Sequence, residues 1–509
     1  METAEMRRST LQRKDRDELT QIATTLGKKP SSRARKGEII DLILDLAAGG
    51  DGGGNAEESD SPDTDVTDAT VSPDTGDASD DDTDSDDDQP ANDSSDASVD
   101  ADNRPEPGNR RRRRRGRDRD NRNDANEQWD GDPIPAEGRL DLRSEGYGFL
   151  RVNGYIPSRD DAYVPVKLVR QYGLRKGDVI AGPSRPANRN EKNPALMAVE
   201  TVNGGDPEAA TRRPDFDDLA AVHPTERLVL SADAADSSTA KIVDLVAPIG
   251  KGQRGLIVSP PRAGKTAVVK QIVRSLQANN PDVRLIVLLV DERPEEISDM
   301  VRWVGDAGEV VGSTFDRAPD EHMAIAELTV ERAKRLVEEG NDVCLVFDDL
   351  TRLVRAYNVE MPSSGKTHGS GVDAIALLGP KSFLAAARAI EDGGSLTILS
   401  TAQVDNGSEV DQVIFEEFVG AANMELRLDR RLAERRIYPA IDVDGSSTRH
   451  EELLFPEEQL PRIRTLRRVL ADLAEEKGAG AAIEMLLDGL RDTAADDCLA
   501  EVASSASGS

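Results

Sequence analysis

Apolar positions form continuous runs in the second half of the chain, and each run ends in polar or charged residues. The runs are "GLIVS" at 255–259, "VRLIVLLVDERPEE" at 283–296, "NDVCLVFDDLTRL" at 341–353 and "GSLTILSTAQV" at 394–404. Such runs are typical of strands buried on both faces of a parallel sheet. Between the first two, "TAVVKQIVRSLQ" has apolar residues three and four apart, which predicts a helix. The pattern therefore predicts an α/β core over residues 222–460.

Shorter patterns flank this core on both sides. Residues 137–204 carry short alternating strands broken by Gly and Pro, which indicates a small β-rich unit. Residues 9–48 are predicted to form two amphipathic helices around a "KKPSSRA" turn, and 461–495 a helical tail. One face of that tail carries Leu466, Val469, Leu470 and Leu473.

The loop after the first strand, "LIVSPPRAGKT" at 256–266, has most of the features of a phosphate-binding loop. The pattern G-x-x-x-x-G-K-[ST] requires a glycine where this chain has Ser259. Gly264 lets the backbone approach a phosphate, Lys265 can reach the β- and γ-phosphates, and the Thr266 hydroxyl can bind magnesium. Because one glycine is missing, the alternative is a chance turn between a strand and a helix.

Acidic residues follow the later apolar runs. Asp348 ends the third run, as the acid of a Walker B strand does, and would lie at the carboxyl edge where open parallel sheets bind ligands. Each run alone is equally compatible with an ordinary buried strand and a solvated acidic turn. Together, in this order behind the loop, they predict a nucleotide-hydrolysing domain.

Charge is distributed unevenly along the 509 residues, whose net charge is −32. Residues 51–102 hold 20 Asp and Glu and no Lys or Arg, and 104–122 then hold 10 Arg against three acids. Such a composition cannot build a core, so a disordered acidic block followed by a basic block is expected. A solubilising linker and a non-specific nucleic-acid contact by the arginines both remain open.

Cysteine and hydropathy exclude several classes of protein. Cys344 and Cys498 are far apart and the chain has only 4 His, so neither a disulfide framework nor a histidine-rich metal site is expected. No apolar stretch is long enough to cross a membrane, and the N-terminus lacks a signal-peptide core. These features predict a cytoplasmic protein without a membrane partner.

Aromatic residues are concentrated in the small β-rich unit. "GYGFLR" places Tyr147 and Phe149 two residues apart, hence on one face of a strand, with Arg151 close by and Tyr163 further along. Rings on a strand face beside arginine suit base stacking and phosphate neutralisation, and a five-stranded oligonucleotide-binding barrel is a suitable host. Taken alone, such a pair of rings is more often part of a core.

A set of linked motifs between 138 and about 490 resembles the bacterial transcription termination factor Rho family. The motifs are "GYGFLR", "DDAYV", "APIGKGQRGLIV", "PPRAGKT", "DERPEE", "STFD", "TRLVRAYN", "SSGKTHGSGVD", "EEFVGAANMEL" and "YPAIDVDGSSTRHEELL". The family's phosphate loop also lacks the first glycine, so the resemblance implies that this loop works. It further implies a homohexameric, RNA-dependent ATPase that uses ATP and Mg²⁺, translocates on single-stranded RNA and releases transcripts from RNA polymerase.

The resemblance also implies residue roles around the nucleotide. Lys265 matches the phosphate lysine, Glu292 the carboxylate that activates the attacking water, and Asp348 the acid that shares Mg²⁺ with Thr266. Arg293 matches an arginine that senses the neighbouring site, and Arg449 a finger supplied across the subunit boundary, although the residues alone favour a surface salt bridge there. The implied nucleotide-contacting residues are Pro261, Arg262, Ala263, Gly264, Lys265, Thr266 and Tyr438, the last beside the adenine.

RNA contacts are implied in two places. The primary site is matched by Tyr147, Phe149, Arg151, Tyr163 and Glu191. Lys366 matches a central-channel lysine in a glycine-rich loop, for which a flexible surface loop is the alternative. The chain departs from the family at Asn193, where a tyrosine is common, and at Glu409 and Val419, where cations are common.

The predicted fold is thus a RecA-like P-loop ATPase core preceded by a helical unit and a small OB-fold, or cold-shock-like, barrel. The predicted domains are 1–50 (N-terminal helical), 51–136 (disordered insertion), 137–205 (barrel), 222–495 (ATPase with helical tail) and 496–509 (disordered tail). Two other functions are compatible with parts of the pattern. One is a rotary ATP synthase subunit or recombinase, and the other is an RNA-binding scaffold with an inactive ATPase.

Overall fold

The computed structural model describes eight helical residues between 19 and 43, and residues 131–188, 191–232, 237–368 and 371–491. The chain divides into two units, Met1–Arg114 and Arg115–Ser509. In the first unit, the buried helical residues are Leu19, Ala23, Ile39, Ile40 and Ile43, at positions where the amphipathic pattern predicts helices. The rest of that pattern, the acidic and arginine-rich blocks and the predicted disordered tail lie outside the described residues.

The first part of the second unit is a closed five-stranded barrel. The strands are β1 (Ile134–Leu142), β2 (Gly148–Arg151), β3 (Ala162–Val164), β4 (Val179–Arg185) and β5 (Ala195–Leu196). They follow the order β1-β2-β3-β5-β4, and a β1–β4 pairing closes the ring, with β6 (Thr201–Val202) added beside β4. Helix α1 (Val166–Tyr172) lies between β3 and β4 in the chain, and a short helix α2 (Pro207–Ala210) follows β6. β1 begins before the predicted domain boundary at residue 137.

The second part is a largely parallel sheet in the order β10-β9-β11-β15-β8-β16-β17, in which β14 pairs with β15 and β7 with β14. Alternate residues of its central strands enter two apolar clusters, since Ile257 packs in one and Leu256 and Val258 in the other. This alternation means that helices cover both faces of the sheet. The strands are β7 (Ala221–Val222), β8 (Arg254–Ser259), β9 (Arg284–Glu292), β10 (Glu309–Thr314), β11 (Asp342–Asp348), β14 (Arg388–Ile390), β15 (Ser395–Gln403), β16 (Met424–Arg427) and β17 (Ser447–Thr448), with a separate pair β12 (Thr367–His368) and β13 (Val372–Asp373).

Helices connect the strands of the sheet and continue past it. They are α3 (Ser238–Val246), α4 (Lys265–Asn279), α5 (Pro294–Val304), α6 (Pro319–Glu338), α7 (Leu350–Glu360), α8 (Leu378–Ala385), α9 (Glu409–Val419), α10 (Arg430–Glu434), α11 (Leu460–Lys477) and α12 (Ala479–Gly489). The helical tail predicted for 461–495 is present as two helices, α11 and α12, which are separated at Gly478. On the predicted apolar face of α11, Leu466 and Leu470 are buried and Val469 and Leu473 are half-buried. No helix in the described part of the chain has the length and apolarity that crossing a bilayer requires.

Ion pairs connect the barrel to the core. Arg213, which follows the barrel, binds the fully buried Asp178 through two nitrogens at 2.5 and 2.7 Å. Glu338, at the end of α6, pairs with Arg175 of the barrel at 3.0 Å and with Arg335 of its own helix at 2.8 Å. These contacts attach the barrel to a helix that packs on the sheet.

Candidate nucleotide site and nucleic-acid interface

The loop between β8 and α4 is shaped by two residues with left-handed backbone. Arg262 has φ 66° and Gly264 has φ 92°. A Cβ at Gly264 would lie 3.8 Å from the Tyr438 ring, so the loop passes directly beside that ring. No side chain caps the N-terminus of α4, which leaves its first N–H groups and its positive dipole end for an anion. The predicted strand, loop and helix are therefore present and arranged as a phosphate site needs.

A cleft of about 670 Å³ opens beside this loop at the carboxyl edge of the sheet. This volume lies within the range of ligand pockets in proteins. We call it the nucleotide cleft, and its charged and loop residues include Pro261, Arg262, Gly264, Lys265, Thr266, Glu292, Arg293, Asp348, Arg352 and Gln403. Most of the residues predicted to bind or hydrolyse a nucleotide thus converge in one place.

Lys265 is held by two carboxylates at the end of β11. Its ammonium donates to Asp348 and to Asp349, the latter at 3.2 Å. Burial alone would lower the pKa of Lys265, but the two carboxylates outweigh burial and raise it above its ordinary value. Burial raises the pKa of Asp349, yet Lys265 and Gln403 hold it below the ordinary range. The cleft therefore keeps a full positive charge on Lys265 at neutral pH.

The buried carboxylates have further partners that fix their orientation. Thr401 donates to Asp348 at 2.6 Å, and Gln403 donates to Asp349 at 2.7 Å. Asp349 also accepts from the Thr351 backbone N–H and so caps α7. Asp348 is thus oriented at the cleft, while Asp349 ties the first turn of α7 to the sheet.

Glu292 ends β9 on the other side of the cleft. Its Oε2 pairs with Arg352 Nη1 at 2.9 Å, and Arg352 also donates to the Asp291 carbonyl. Arg293 follows as the exposed residue before α5 and lines the same cleft. Glu292 therefore has a fixed cation beside it and a position facing the phosphate loop.

Tyr438 borders a second cavity of about 310 Å³ on the far side of the loop. Its ring is 51% exposed, and its hydroxyl donates to the Ala433 carbonyl at 3.3 Å. Gly264, Ala267 and Gln271 line the same cavity from one face of α4. An exposed ring beside a phosphate loop offers a stacking surface for a base, and the adenine contact that the resemblance implies for Tyr438 stays a prediction.

The residues predicted to hold Mg²⁺ both line the nucleotide cleft. Mg²⁺ prefers hard oxygen ligands and usually takes only one or two from protein, with water and phosphate oxygens completing the shell. The Thr266 hydroxyl and the Asp348 carboxylate fit that requirement. The described residues contain no cluster of three or more His, Cys, Asp or Glu side chains able to hold a metal without a substrate.

Three rings cluster on the outside of the barrel. The Tyr147 centroid is 6.0 Å from that of Phe149 and 5.6 Å from that of Tyr163, and Phe149 and Tyr163 are 6.0 Å apart. All three side chains are half-buried, and none belongs to the barrel's apolar cluster. The alternative that these rings are core residues therefore fails. We call Tyr147, Phe149 and Tyr163 the aromatic cluster.

Arg151, predicted to contact RNA, is buried and paired with two acids. Its guanidinium is only 4% exposed, donates to Asp161 at 2.6 Å and to Asp141, and lies 5.7 Å from the Phe149 ring centroid. A cation so enclosed lies against the Phe149 ring, and its Nε–H, which has no partner, is buried away from solvent and hence from a phosphate. The other predicted charged residue, Glu191, is exposed and pairs with Arg185 at 2.6 and 2.7 Å; this contact and the Asn188 N–H lower its pKa to about 2.

Comparison with known proteins agrees with both sites. A model of the ATP synthase alpha/beta family, nucleotide-binding domain, matches residues 239–448, and one of the Rho termination factor, RNA-binding domain, matches 136–208. Transcription termination factors Rho of Streptomyces lividans and Bacillus subtilis are both 52% identical to this chain, over 71% and 66% of it and over 50% and 78% of their own lengths. That of Pseudomonas fluorescens is 48% identical over 72% of this chain and 87% of its own length. The chain belongs to the transcription termination factor Rho family.

Family membership confirms the predicted fold and distinguishes the chain from one of the alternatives, an ATP synthase subunit. The core is a P-loop ATPase domain that binds nucleotide, and the Rho RNA-binding domain before it distinguishes the chain from ATP synthase subunits, whose nucleotide-binding domain matches only the core. The matched region spans half of the Streptomyces lividans protein, so the activity and partners of the whole relative are treated as proposals for this chain.

Two residues to which the Rho resemblance assigns roles lie outside the nucleotide cleft. Lys366 is exposed in the loop between α7 and β12, where Gly365 has φ 73°, and Gly371, between β12 and β13, has φ 104°. Asp373 anchors that loop by accepting from Ser363 at 2.9 Å. Arg449 is exposed just after β17, and within the described residues its guanidinium does not line the cleft or form an ion pair. The RNA role of Lys366 and the cross-subunit role of Arg449 stay predictions.

The structure shows the contacts of two residues that depart from the Rho pattern, Asn193 and Glu409. Asn193 donates to the Asp161 carbonyl at 3.0 Å and so braces the acid that holds Arg151. Glu409 is the exposed first residue of α9. Arg430, a cation that could have paired with it, pairs with Glu434 at 2.8 Å. Glu409 therefore keeps an exposed negative charge.

Sequence reasoning missed two charged residues at this site, Arg352 in the lining of the cleft and the fully buried Asp349. Arg352 and Asp349 received no role, although one pairs with Glu292 and the other with Lys265. The doubled acid in "FDDL" and the arginine in "TRL" were the available signals, since two charges directly after a buried strand need partners at the same edge. Their specific partners depend on the order of strands in the sheet, which the sequence pattern does not contain.

Proposed function

We propose that this chain is an RNA-dependent ATPase that moves along single-stranded RNA and terminates transcription by releasing nascent RNA from RNA polymerase. It acts, in this proposal, as a homohexamer in the cytoplasm. The observation that carries the proposal is a cleft holding Lys265, Glu292 and Asp348 in the same unit as a barrel with a half-exposed aromatic cluster. The Rho relatives support the same function.

Lys265 is proposed to exchange partners when ATP binds. Its ammonium now contacts Asp348 and Asp349, and the β- and γ-phosphates of ATP offer a stronger concentration of negative charge. Moving Lys265 onto the phosphates frees an oxygen of Asp348. Asp348 and the Thr266 hydroxyl would then hold Mg²⁺, which neutralises charge on the phosphate oxygens when bound.

Glu292 is proposed to accept the proton of the attacking water. Arg352 binds Oε2 of this carboxylate, so we assign the other oxygen, Oε1, to the water. Phosphoryl transfer depends chiefly on positioning and on cations that stabilise spreading negative charge. Arg262 and Arg293 line the cleft for that purpose, and Tyr438 stacks on the base.

Arg449 is proposed to act on the cleft of a neighbouring subunit. It lies outside its own cleft with an exposed side chain, as a finger given in trans requires. Such an arrangement would make hydrolysis depend on assembly of the ring. An Arg449→Ala variant should therefore bind ATP but hydrolyse it slowly, and adding a Lys265→Ala variant to form mixed rings should restore some activity.

RNA is proposed to bind at two places with different chemistry. The aromatic cluster would stack bases at the primary site, and Lys366 would contact the backbone in the ring channel. Glu191 would contribute to the primary site through its hydrogen bonds, and Arg151 would contribute by supporting the Phe149 ring. The predicted domain limits of 1–50, 51–136, 137–205, 222–495 and 496–509 are part of this proposal.

ATP hydrolysis by the full chain, measured with and without polycytidylate, tests the proposal. We expect hydrolysis that depends on RNA and that disappears in Glu292→Gln. Hydrolysis indifferent to RNA would favour a rotary or recombinase-type ATPase. RNA binding without any hydrolysis would favour a scaffold with an inactive ATPase. ATP-dependent release of RNA from a stalled polymerase complex then tests termination itself.

A further inference from the structure

The pairing between β9 and β10 is irregular immediately before Glu292. Gly312 pairs with Leu289 and Thr314 with Glu292, so Ser313 alone stands opposite two residues of β9. One of these two, Asp291, has φ 56°, a left-handed conformation that non-glycine residues rarely adopt. An extra residue of this kind turns the strand and re-aims the side chain that follows it. The direction of Glu292 therefore depends on this bulge.

The strand opposite the bulge is fastened by a buried hydrogen bond. Ser313 Oγ lies 2.8 Å from His322 Nδ1, and the two residues are 1% and 5% exposed. His322 belongs to the first turns of α6, so the contact joins a helix to the end of β10. Burial lowers the pKa of His322 and outweighs the Asp291 and Glu321 carboxylates, which would raise it. The lowered pKa favours a neutral imidazole.

Other contacts fasten the bulge from the side of the cleft. The Phe315 N–H donates to the Glu292 carbonyl at 3.1 Å, directly after the Ser313 contact along β10. Arg352 donates to the Asp291 carbonyl and pairs with Glu292. A backbone in a sparsely populated conformation persists only where its surroundings hold it. Arg352 holds this one from the cleft, and the Ser313–His322 pair holds the strand behind it.

We propose that His322 and Ser313 are positioning residues for hydrolysis, because their buried hydrogen bond fixes the bulge that directs Glu292 towards the γ-phosphate. Neither residue contacts the cleft, so they act through Glu292 and not on the substrate. The inference rests on the proposed role of Glu292 as the residue that accepts the proton of water. An ordinary core hydrogen bond, important only for stability, is the competing explanation.

Substitutions of Ser313 and His322 distinguish the positioning role from a role in stability alone. Ser313→Ala deletes the hydroxyl and keeps the packing, and His322→Leu removes the ring's polar atoms. With saturating polycytidylate, we expect each to lower kcat for ATP by about 10- to 100-fold, as small misplacements of catalytic groups do. We expect KM for ATP to stay within about twofold, because the phosphate loop and Tyr438 are untouched. His322→Gln, whose amide can bond to Ser313, should recover most of kcat.

Thr329→Val is the matched control on the same helix. Thr329 is fully buried and its hydroxyl bonds to the Ile325 carbonyl at 2.7 Å, away from the bulge. If the buried hydroxyls around α6 only stabilise the fold, Thr329→Val and Ser313→Ala should behave alike. Both variants would then have lower thermal stability and an unchanged kcat. The proposal predicts that only Ser313→Ala loses turnover, and that the double variant with His322→Leu is no slower than His322→Leu alone.

The outcomes keep this inference distinct from the proposed function. If Glu292→Gln retains near-normal turnover, the assigned role of Glu292 is wrong and the positioning role falls with it. If Glu292→Gln is inactive while Ser313→Ala keeps kcat within about twofold of the parent, the proposed function stands and the positioning role is overturned. Ser313→Ala decides the matter even if His322→Leu does not fold.

Discussion

The nucleotide cleft and the aromatic cluster differ in where they keep their charges. In the cleft, Lys265 and Glu292 point into the site, and their partners Asp348 and Arg352 lie there as well. These ion pairs can be exchanged for contacts with a substrate. The cleft is thus pre-organised for a charged ligand, and its electrostatics can act on a reaction without much rearrangement.

The barrel keeps its charges beneath or beside its rings. Arg151 is enclosed by Asp141 and Asp161, and Arg185 is paired with Glu191, so these two arginines of the barrel already have acidic partners. What the cluster offers to a ligand is the faces and edges of rings. Under the proposed function, the cleft would work through charge and the barrel through stacking, and the following substitutions test that division.

The largest effect is expected from Arg151→Ala, because it leaves two buried carboxylates without their cation. Breaking a buried ion pair typically costs about 3–5 kcal/mol. We expect a clear fall in the melting temperature of the barrel by calorimetry, whereas Arg143→Ala, which removes the half-exposed partner of Asp141 at 3.3 Å, should change little. Unchanged stability with a shallower salt dependence of RNA binding would show that Arg151 contacts phosphate after all.

Lys265→Ala should lower ATP hydrolysis by about 100-fold or more, since it removes a pre-organised stabiliser of phosphate charge. RNA binding by the barrel should stay intact, as measured by fluorescence anisotropy with a labelled pyrimidine oligonucleotide. Lys270→Ala is the control on the same helix, where Lys270 pairs with Asp299 outside the cleft. Hydrolysis near the parental rate in Lys265→Ala would contradict the assignment of the phosphate loop.

Deleting residues 104–122 should weaken RNA binding and reduce its salt dependence. If the barrel binds mainly by stacking, counterion release must come from cations elsewhere, and this arginine-rich block is the candidate. The slope of log K against log salt should become shallower by about 0.7 for each phosphate of single-stranded RNA that these arginines neutralise in the parent. Deleting 51–102 instead should leave ATP hydrolysis unchanged. An unaltered slope after the first deletion would mean that these arginines do not touch RNA.

Glu409→Lys is expected to have the smallest effect. Glu409 is exposed and Arg430 pairs with Glu434. In the proposed hexamer, six copies of Glu409 would place negative charge where the Rho resemblance expects RNA. Screening limits such repulsion to roughly 8 Å at physiological salt. The lysine variant should need less RNA for half-maximal ATPase, most clearly at low salt, whereas Glu416→Lys on the exposed face of the same helix should not. An equal or greater RNA requirement would show that Glu409 does not face the RNA.

The sequence predicted the elements of both sites better than their internal pairing. The apolar runs and the loop at 256–266 indicated β8, α4, β9 and β11, and the spacing of Tyr147 and Phe149 placed both rings on one strand face. The third ring, Tyr163, joins them because β2 and β3 pair Phe149 with Tyr163. Registers of this kind, like the bulge opposite Ser313, arise from strands distant in sequence and have no local signal.

The roles of charged residues were harder to predict, because their partners also come from distant parts of the sequence. An arginine beside aromatic residues suggested a phosphate contact at Arg151, but the two acids that enclose it come from β1 and from the turn before β3. Likewise, Arg352 meets Glu292 only because β9 and β11 are neighbours in the sheet. The type of a charged residue indicates that it needs a partner, and only the fold decides whether that partner is a ligand or another side chain.

A polycytidylate titration of ATP hydrolysis in Phe149→Ala tests the division between the two sites most directly. Loss of one stacking surface is typically worth about 1–3 kcal/mol, so the RNA concentration for half-maximal hydrolysis should rise about 5- to 150-fold. The plateau rate at saturating RNA should equal that of the parent, because the cleft is unchanged. A reduced plateau reached at the parental RNA concentration would contradict the account, since it would place Phe149 in the catalytic machinery and not in RNA capture.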